Sequence, residues 1–209
     1  MLADLSVKEL WEKAGSDDPT PGGGSIAALM GATGASLIIK FCNLTLGREK
    51  FKEVEGKFQK VKGNAEATSS QLSRLCDRDT EAFNGVMQVF RMPKTTDQEI
   101  QRRKDALQQA FKEATEVPYQ TAELCLSLLQ SCQEVVEEGN PNAISDLGVG
   151  CLACWAGLEG AIMNVRINLP SLKDSAFVEE MEAKIKSISQ DGMTLRSQVL
   201  DSVRQKMEK

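Results

Sequence analysis

Three acidic residues in the middle of the chain, Asp77, Asp79 and Glu81, are the side chains best placed to carry chemistry. The 209 residues include no histidine, so proton transfer near neutral pH falls to a carboxyl group with a shifted pKa, a lysine, a cysteine or a bound water molecule. Asp79 differs from its neighbours because it occupies a place in an apolar pattern where a hydrocarbon side chain is expected. Burial there would raise the pKa of its carboxyl group toward neutrality. The alternative is that Asp79 only accepts hydrogen bonds from a neighbouring helix, as many buried polar residues do.

The apolar pattern around Asp79 repeats every seven residues and predicts one long helix from Phe51 to about Phe90. Its two rows of seam positions are Phe51, Phe58, Ala65, Leu72, Asp79 and Val86, and Val54, Val61, Thr68, Leu75, Ala82 and Val89. This spacing places both rows on one face that packs against other helices. An isolated charge in such a face is costly unless it is paired or protonated. Asp77 and Glu81 fall outside the rows, so we expect Asp79 alone to point into the packed face.

Helical patterns also cover the rest of the chain, and no run of alternating β-branched residues predicts a strand. Two segments, about Ser25 to Leu46 and Ser145 to Leu169, are apolar on almost every side and rich in small residues. They predict two buried central helices that neighbouring backbones approach closely. A capping box at Thr96 and Glu99 begins an amphipathic helix, and Pro118 either kinks that helix or lies in the first turn of the next. We therefore expect an all-α fold, a compact multihelical bundle without a sheet.

Composition indicates a single domain over residues 1–209 whose partner is a small molecule or a protein. The chain is 41% hydrophobic and 26% charged, which suffices for one sizeable core. A net charge of -5 argues against nucleic-acid binding. The first small-residue segment ends its uncharged run at Lys40 and is less apolar than a membrane span needs, so we expect no membrane association. The six cysteines lie mostly in apolar helical patterns and the amino terminus lacks a secretory signal, which indicates a cytoplasmic protein with reduced thiols.

Two further motifs are open to a functional and a structural interpretation. The turn Gly22-Gly23-Gly24-Ser25 leads into the first small-residue helix and could present backbone N–H groups to a carboxylate or phosphate. It lacks the lysine and the preceding strand of a nucleotide-binding loop, so a tight turn into a buried helix explains it equally well. Cys151 and Cys154 form a C-x-x-C pair, but inside a helix rather than on the turns that zinc sites use. We expect no metal site.

Six short blocks, in order along essentially the whole chain, together carry a family resemblance. They are Pro21 to Ser25 before the small-residue helix, Thr45 to Arg48, Asp79 to Phe83, Arg91 to Lys94, Asn142 with Ser145 and Asp146, and Asn164 to Asn168. In this order and spacing they resemble the cyclodeaminase/cyclohydrolase domain of the formiminotransferase-cyclodeaminase family. The resemblance implies a multihelical fold, usually a homodimer, that acts on one-carbon derivatives of tetrahydrofolate.

The resemblance implies one of two activities. Cyclodeaminases close 5-formimino-tetrahydrofolate to 5,10-methenyl-tetrahydrofolate and release ammonia, whereas cyclohydrolases hydrolyse the methenyl compound. No residue of the sequence separates the two. No cofactor is implied beyond the tetrahydrofolate substrate, whose tail can be polyglutamylated, and a formiminotransferase would be a separate partner protein. A helical binding or scaffold protein without catalysis is a third hypothesis, against which the intact Asp79 segment counts.

The resemblance also implies roles for individual residues. The family has its catalytic acid in an Asp-x-x-x-Phe segment, which matches Asp79 to Phe83, and Asp77 is the runner-up. Asn142, Asp146 and Asn164 are candidates to contact the pterin ring or to hold Asp79. The candidates to receive the glutamate tail are Gly22, Gly23, Gly24, Ser25, Arg48, Arg91 and Lys94. For each basic residue an ordinary solvated surface position is the alternative.

Overall fold

The computed structural model describes residues 1–208, and this part of the chain contains helices and no strand. The α-helices are α1 (Val7–Ala14), α2 (Gly23–Thr45), α3 (Glu55–Phe90), α4 (Asp97–Val135), α5 (Ile144–Asn168) and α6 (Ser175–Met207). Short 3₁₀ turns cover Leu2–Asp4, Glu49–Val54, Pro141–Ala143 and Leu169–Ser171. The all-α prediction is confirmed.

Helices α2 and α5 form the centre of the bundle and run antiparallel in close contact. Helix α3 packs beside α2, α6 packs beside α5, and α4 contacts all four of these helices. The close approach depends on glycine. A Cβ atom on Gly34 would lie 2.8 Å from the carbonyl oxygen of Gly150, and one on Gly157 would lie 2.8 Å from that of Ala27. The small-residue pattern of both segments is thus explained by contact between backbones.

The burial of the two central helices is one-sided. Five apolar residues of α2 and α5 have between 43% and 75% of their surface exposed. These five, called the α2–α5 face below, are Met30, Val149, Leu152, Met163 and Ile167. By length and composition, α2 and the segment Pro141–Ser171 could each cross a membrane, and half of each apolar stretch is buried inside the protein.

The long helix α3 begins at Glu55 rather than at Phe51. The predicted first turn is the 3₁₀ segment Glu49–Val54, in which Phe51 has the non-helical angles φ -115° and ψ 16°. From Phe58 to Val86 the heptad prediction is confirmed, since every seam position except Asp79 is buried. The seam faces α2 and α4 and carries Asp79 into the contact between helices.

Helix α4 begins at the predicted capping box of Thr96 and Glu99 and continues without a break through Pro118 to Val135. Pro118 therefore neither ends one helix nor begins another. A proline inside a helix lacks the N–H group that would bond to the carbonyl group four residues earlier. The free carbonyl here is that of Ala114, which lies beside the candidate site.

Candidate active site

Asp79 extends from α3 to the first turn of α2. The Ser25 hydroxyl donates a hydrogen bond of 2.8 Å to Oδ2 of Asp79, and the Ser25 backbone N–H also donates to this carboxylate. Gly24 lies directly against the carboxylate, because a Cβ atom at this position would be 2.1 Å from Oδ1. Only glycine at residue 24 leaves room for the side chain of Asp79 at the start of α2.

Burial raises the pKa of Asp79 above its ordinary value and is the largest influence on it. The two hydrogen bonds from Ser25 stabilise the ionised form and lower the pKa, but they offset only part of the rise. No ion pair within residues 1–208 involves Asp79. The rise in pKa expected from the seam position is confirmed. It brings the carboxyl group closer to the range in which it exchanges protons near neutral pH.

A cavity of about 380 Å³ opens beside Asp79 and follows α3 toward its carboxyl end. One end has polar side chains and the other has apolar and aromatic ones. The lining residues are Pro19, Gly22, Asp79, Ala82, Phe83, Val86, Met87, Phe90, Phe111, Ala114, Asn164, Ile167 and Asn168. From Asp79 to Phe90 the helix advances about 16 Å, which suits an elongated ligand. The other large hollows in the described chain are similar in size, but Asp79 lines none of them.

The polar end holds two asparagines from α5 whose amide groups are fixed. Asn164 donates from Nδ2 to the carbonyl oxygen of Gly160 at 2.8 Å. Asn168 donates from Nδ2 to the carbonyl oxygens of Ala114 and Asn164 at 2.8 and 3.0 Å. The Ala114 carbonyl has no N–H partner four residues later, because that residue is Pro118, and the Asn168 amide donates to it instead. Sequence reasoning named Asn164 but missed Asn168, although their spacing of four residues already places them on one helix face.

The aromatic end of the cavity is held together by side chains from α3 and α4. The rings of Phe90 and Phe111 meet edge to face, with centroids 6.3 Å apart. The guanidinium group of Arg103 lies 5.8 Å from the centre of the Phe90 ring and donates to the carbonyl oxygens of Val89 and Phe90. These contacts fix the end of α3 and the ring that closes the cavity. Phe111 was also missed, since nothing in the chain order brings it to this wall.

The structure does not bring every predicted site residue to Asp79. Asp146 lies near the start of α5, where it forms an ion pair of 2.9 Å with Lys40, and Asn142 is exposed just before this helix. Asn164 follows Asp146 by eighteen positions, which places the two about 27 Å apart along α5. Within one chain, therefore, the structure does not bring Asn142 or Asp146 to Asp79 or to Asn164, and their roles in binding stay predictions. Arg48 is exposed beyond the carboxyl end of α2, also far from the cavity.

The remaining predicted residues lie at the two ends of the cavity. Gly22 lines it, Gly23 faces Asn164, and Gly24 and Ser25 contact Asp79. The hydroxyl and N–H groups of Ser25 therefore donate to Asp79. They are not free to bind glutamate, which is the role predicted for this turn. Arg91 and Lys94 are exposed and follow Phe90 directly, so they lie beyond the aromatic end.

Asp77 is less exposed than its place outside the seam predicts. The backbone N–H of Leu2 donates to its Oδ1 at 2.8 Å, and its Oδ2 is buried with no hydrogen-bond partner in the described chain. The first residues of the chain fold over this part of α3, which the heptad pattern does not reveal. Asp77 does not line the cavity beside Asp79, so the choice of Asp79 over Asp77 is supported by position.

Known proteins resemble this chain over its whole length. The model of the formiminotransferase-cyclodeaminase family matches residues 6–187. A methenyltetrahydrofolate cyclohydrolase from Methylorubrum extorquens is 36% identical over 207 residues, which cover 99% of this chain and 100% of the relative. A formimidoyltransferase-cyclodeaminase from mouse is 34% identical over 207 residues, but they are only 38% of that longer protein.

A solved structure shows the same fold. The formiminotetrahydrofolate cyclodeaminase from Thermotoga maritima superposes with a TM-score of 0.88 at 26% sequence identity, and the match covers 98% of both chains. The cyclohydrolase and this cyclodeaminase are thus each as long as the present chain.

Proposed function

Since the chain belongs to the formiminotransferase-cyclodeaminase family, we propose that it is a folate enzyme that converts 5-formimino-tetrahydrofolate to 5,10-methenyl-tetrahydrofolate and releases ammonia. The observation that carries this proposal is Asp79. Its carboxyl group has a raised pKa, is oriented by Ser25, and stands at the wall of an elongated cavity. No cofactor beyond the folate enters the reaction.

The ring closure needs two proton transfers, and one carboxyl group serves both. The formimino group on N5 enters protonated, N10 of the folate attacks its carbon, and the ionised Asp79 takes the proton that N10 loses. The protonated Asp79 then donates to the departing nitrogen, which leaves as ammonia, and the methenyl bridge forms with its positive charge. A carboxyl group with a pKa raised toward neutrality accepts and returns a proton more evenly than an ordinary aspartate does.

The shape of the cavity supports one direction for the ligand. The one-carbon group and pterin take the polar end beside Asp79, and the aminobenzoyl ring lies against Phe90 and Phe111. The glutamate tail then passes Phe90 toward Arg91 and Lys94, the first cations after α3. Of the predicted basic residues, only these two follow directly after the aromatic end of the cavity.

A cyclohydrolase is the second candidate, and one observation favours it. The Methylorubrum extorquens relative with that activity has the same length as this chain and is 36% identical to it. The same residues would serve, with Asp79 activating the water that attacks the methenyl carbon. The Thermotoga maritima structure, a cyclodeaminase of equal extent, supports the first candidate.

We also propose that two copies of the chain associate through the α2–α5 face. Its residues are apolar, and exposed apolar patches of this kind mark contacts with other proteins. An isologous dimer would bury this face in both copies at once. Leu152→Arg within this face is expected to give a monomer in sedimentation equilibrium. A wild-type protein that is monomeric at tens of micromolar would exclude the dimer.

The activity test compares both substrates. The purified protein is incubated with 5-formimino- and with 5,10-methenyl-tetrahydrofolate, and the methenyl absorbance is followed. Formation from the first substrate identifies a cyclodeaminase, and accelerated loss from the second identifies a cyclohydrolase. No change in methenyl absorbance with either substrate, while folate still binds, would favour a protein without catalysis. Asp79→Asn should abolish turnover with an unchanged helical circular-dichroism spectrum, and near-normal turnover in this variant would remove Asp79 from the mechanism.

A further inference from the structure

Asn164 and Asn168 line the cavity but take no part in the proton transfers assigned to Asp79. Their amide nitrogens donate to main-chain carbonyl groups, as described above. An amide group whose nitrogen is held in this way turns its oxygen to the other side, where it can only accept. No hydrogen bond in the described chain ends on either Oδ1 atom, and neither atom is shut away in the protein interior. Both oxygens are therefore available to a ligand in the cavity.

The side chains at the polar end of the cavity thus offer mainly acceptors, and the second N–H of the Asn164 amide is a donor without a partner in the described chain. The two Oδ1 atoms join the carboxylate of Asp79, and no lysine or arginine lines the cavity. Such a site favours a ligand group that carries N–H donors or positive charge. It disfavours a group of the same shape that presents a carbonyl oxygen, because the facing lone pairs would lose their hydrogen bonds to water without replacement.

Asn164 lies close enough to Asp79 to meet the same part of a ligand. Gly23 and Gly24 are consecutive residues of the first turn of α2. A Cβ atom on Gly23 would lie 3.3 Å from Nδ2 of Asn164, whereas one on Gly24 would collide with Asp79. Asn164 and Asp79 therefore flank a single helical turn, and a group that exchanges protons with Asp79 is within reach of Asn164.

We propose that Asn164 and Asn168 select the cationic one-carbon group of the substrate over its neutral oxygen isostere. This inference rests on the proposed function, because it takes a tetrahydrofolate as the ligand. The protonated formimino group carries N–H donors and positive charge, and the methenyl bridge is also a cation. The formyl group of 5-formyl-tetrahydrofolate has nearly the same size as the formimino group but presents an oxygen acceptor.

The test measures dissociation constants for 5,10-methenyl- and 5-formyl-tetrahydrofolate by equilibrium binding. All proteins carry Asp79→Asn so that the bound ligand is not turned over. Asn164→Asp and Asn164→Leu are a matched pair of similar size. Both lose the Nδ2 bond to Gly160, and only the aspartate keeps acceptor oxygens. Asn168→Asp and Asn168→Leu form a second pair.

The parent protein is expected to bind the methenyl compound at least about tenfold more tightly than the formyl compound, because the acceptor oxygens attract the cationic bridge, whereas facing the formyl oxygen costs them their hydrogen bonds to water. Each leucine variant should bring this ratio toward one, and each aspartate variant should keep or increase it. Because the two members of a pair lose the same structural bond, the comparison within a pair separates the effect of the acceptor oxygens from the effect of losing that bond. If the Asn168 variants do not fold, the Asn164 pair alone tests the proposal. The Asn164 variants should fold, because the Gly160 carbonyl keeps its main-chain hydrogen bond within α5.

Two results would overturn the inference alone. One is a ratio near one in the parent protein. The other is an equal loss of affinity for both ligands in the leucine variants, which would mean that the amides hold the pterin, the part that the two ligands share. A folded protein that binds neither folate would instead remove the proposed function, and this inference with it.

Discussion

Gly24→Ala is the most direct test of how α2 positions the carboxylate of Asp79. In the native structure a Cβ atom on residue 24 would lie 2.1 Å from Oδ1 and 2.6 Å from Cγ of Asp79. Contacts of a real Cβ atom essentially never fall below 3.0 Å, so the distance of 2.1 Å must grow by at least 0.9 Å. Either the carboxylate retreats by this amount or the first turn of α2 shifts.

A displacement of this size removes most of the benefit of a positioned acid. Misplacing a reacting group by about 1 Å costs on the order of 100-fold in rate, which corresponds to about 2.7 kcal/mol of transition-state stabilisation. We expect the loss to appear in kcat, with KM changed little, because Gly24 contacts Asp79 and does not line the cavity. The hydrogen bond from Ser25 cannot restore the position, since Ser25 belongs to the same shifted turn.

The assay is the initial rate of the methenyl absorbance change with each substrate, beside circular dichroism and a thermal melt. Gly63→Ala in α3 is the matched control, because a Cβ atom there meets no atom within 4 Å. It should keep full activity and gain roughly 0.5–1 kcal/mol of stability from the better helix former. If Gly24→Ala folds normally and keeps kcat within about threefold of wild type, the close contact between α2 and Asp79 does not position the acid.

Three further results are expected. Ser25→Ala removes a hydrogen bond that lowers the pKa of Asp79, so the limb of the pH–rate profile that reports ionisation of Asp79 should move to higher pH. If that limb does not move, Asp79 is not the group that produces it. Because the pKa of Asp79 is raised in the folded protein, stability is lost as pH rises through the folded pKa. Asp79→Asn should therefore be more stable than wild type at pH ~7, by about 1.4 kcal/mol for each pH unit between the folded and unfolded pKa values, and should have no advantage below the unfolded pKa of ~3.9. Urea unfolding at several pH values measures this difference. Arg91→Ala combined with Lys94→Ala should weaken binding of a triglutamate folate by roughly tenfold more than that of the monoglutamate, and an equal effect on both would place the tail elsewhere.

The heptad pattern predicted the central part of the site because it depends on local geometry alone. The period of α3 fixes which side chains face α2 and α4, so Asp79 was identified as a polar residue inside a packed face without knowledge of the other helices. The same pattern could not show that Leu2 folds back onto Asp77, since that contact joins residues 75 positions apart. Nor could it show that Gly24 makes room for the carboxylate, because this requires the relative placement of two helices.

The residues taken from the family blocks separate into two groups for a simple geometric reason. The blocks with Gly22 and Asn164 lie at one end of the antiparallel pair α2 and α5, whereas those with Arg48 and Asp146 lie at the other. A helix of 25 residues such as α5 separates its ends by about 37 Å. Order and spacing in the sequence identify a family, but they do not say which blocks meet within one chain.

Pro118 shows how a residue far from the chemistry can prepare the site. The sequence suggested a kink or a helix start, but α4 passes through Pro118 and only one main-chain bond is missing. The carbonyl group left without that bond belongs to Ala114, in the wall of the cavity, and the Nδ2 group of Asn168 donates to it at 2.8 Å. An ordinary residue at position 118 would offer its own N–H to this carbonyl, which would then accept from two donors, as a carbonyl oxygen can. With Pro118 in place, Asn168 is the donor that satisfies the Ala114 carbonyl, and this bond helps to orient the amide whose oxygen the cavity presents to a cationic ligand.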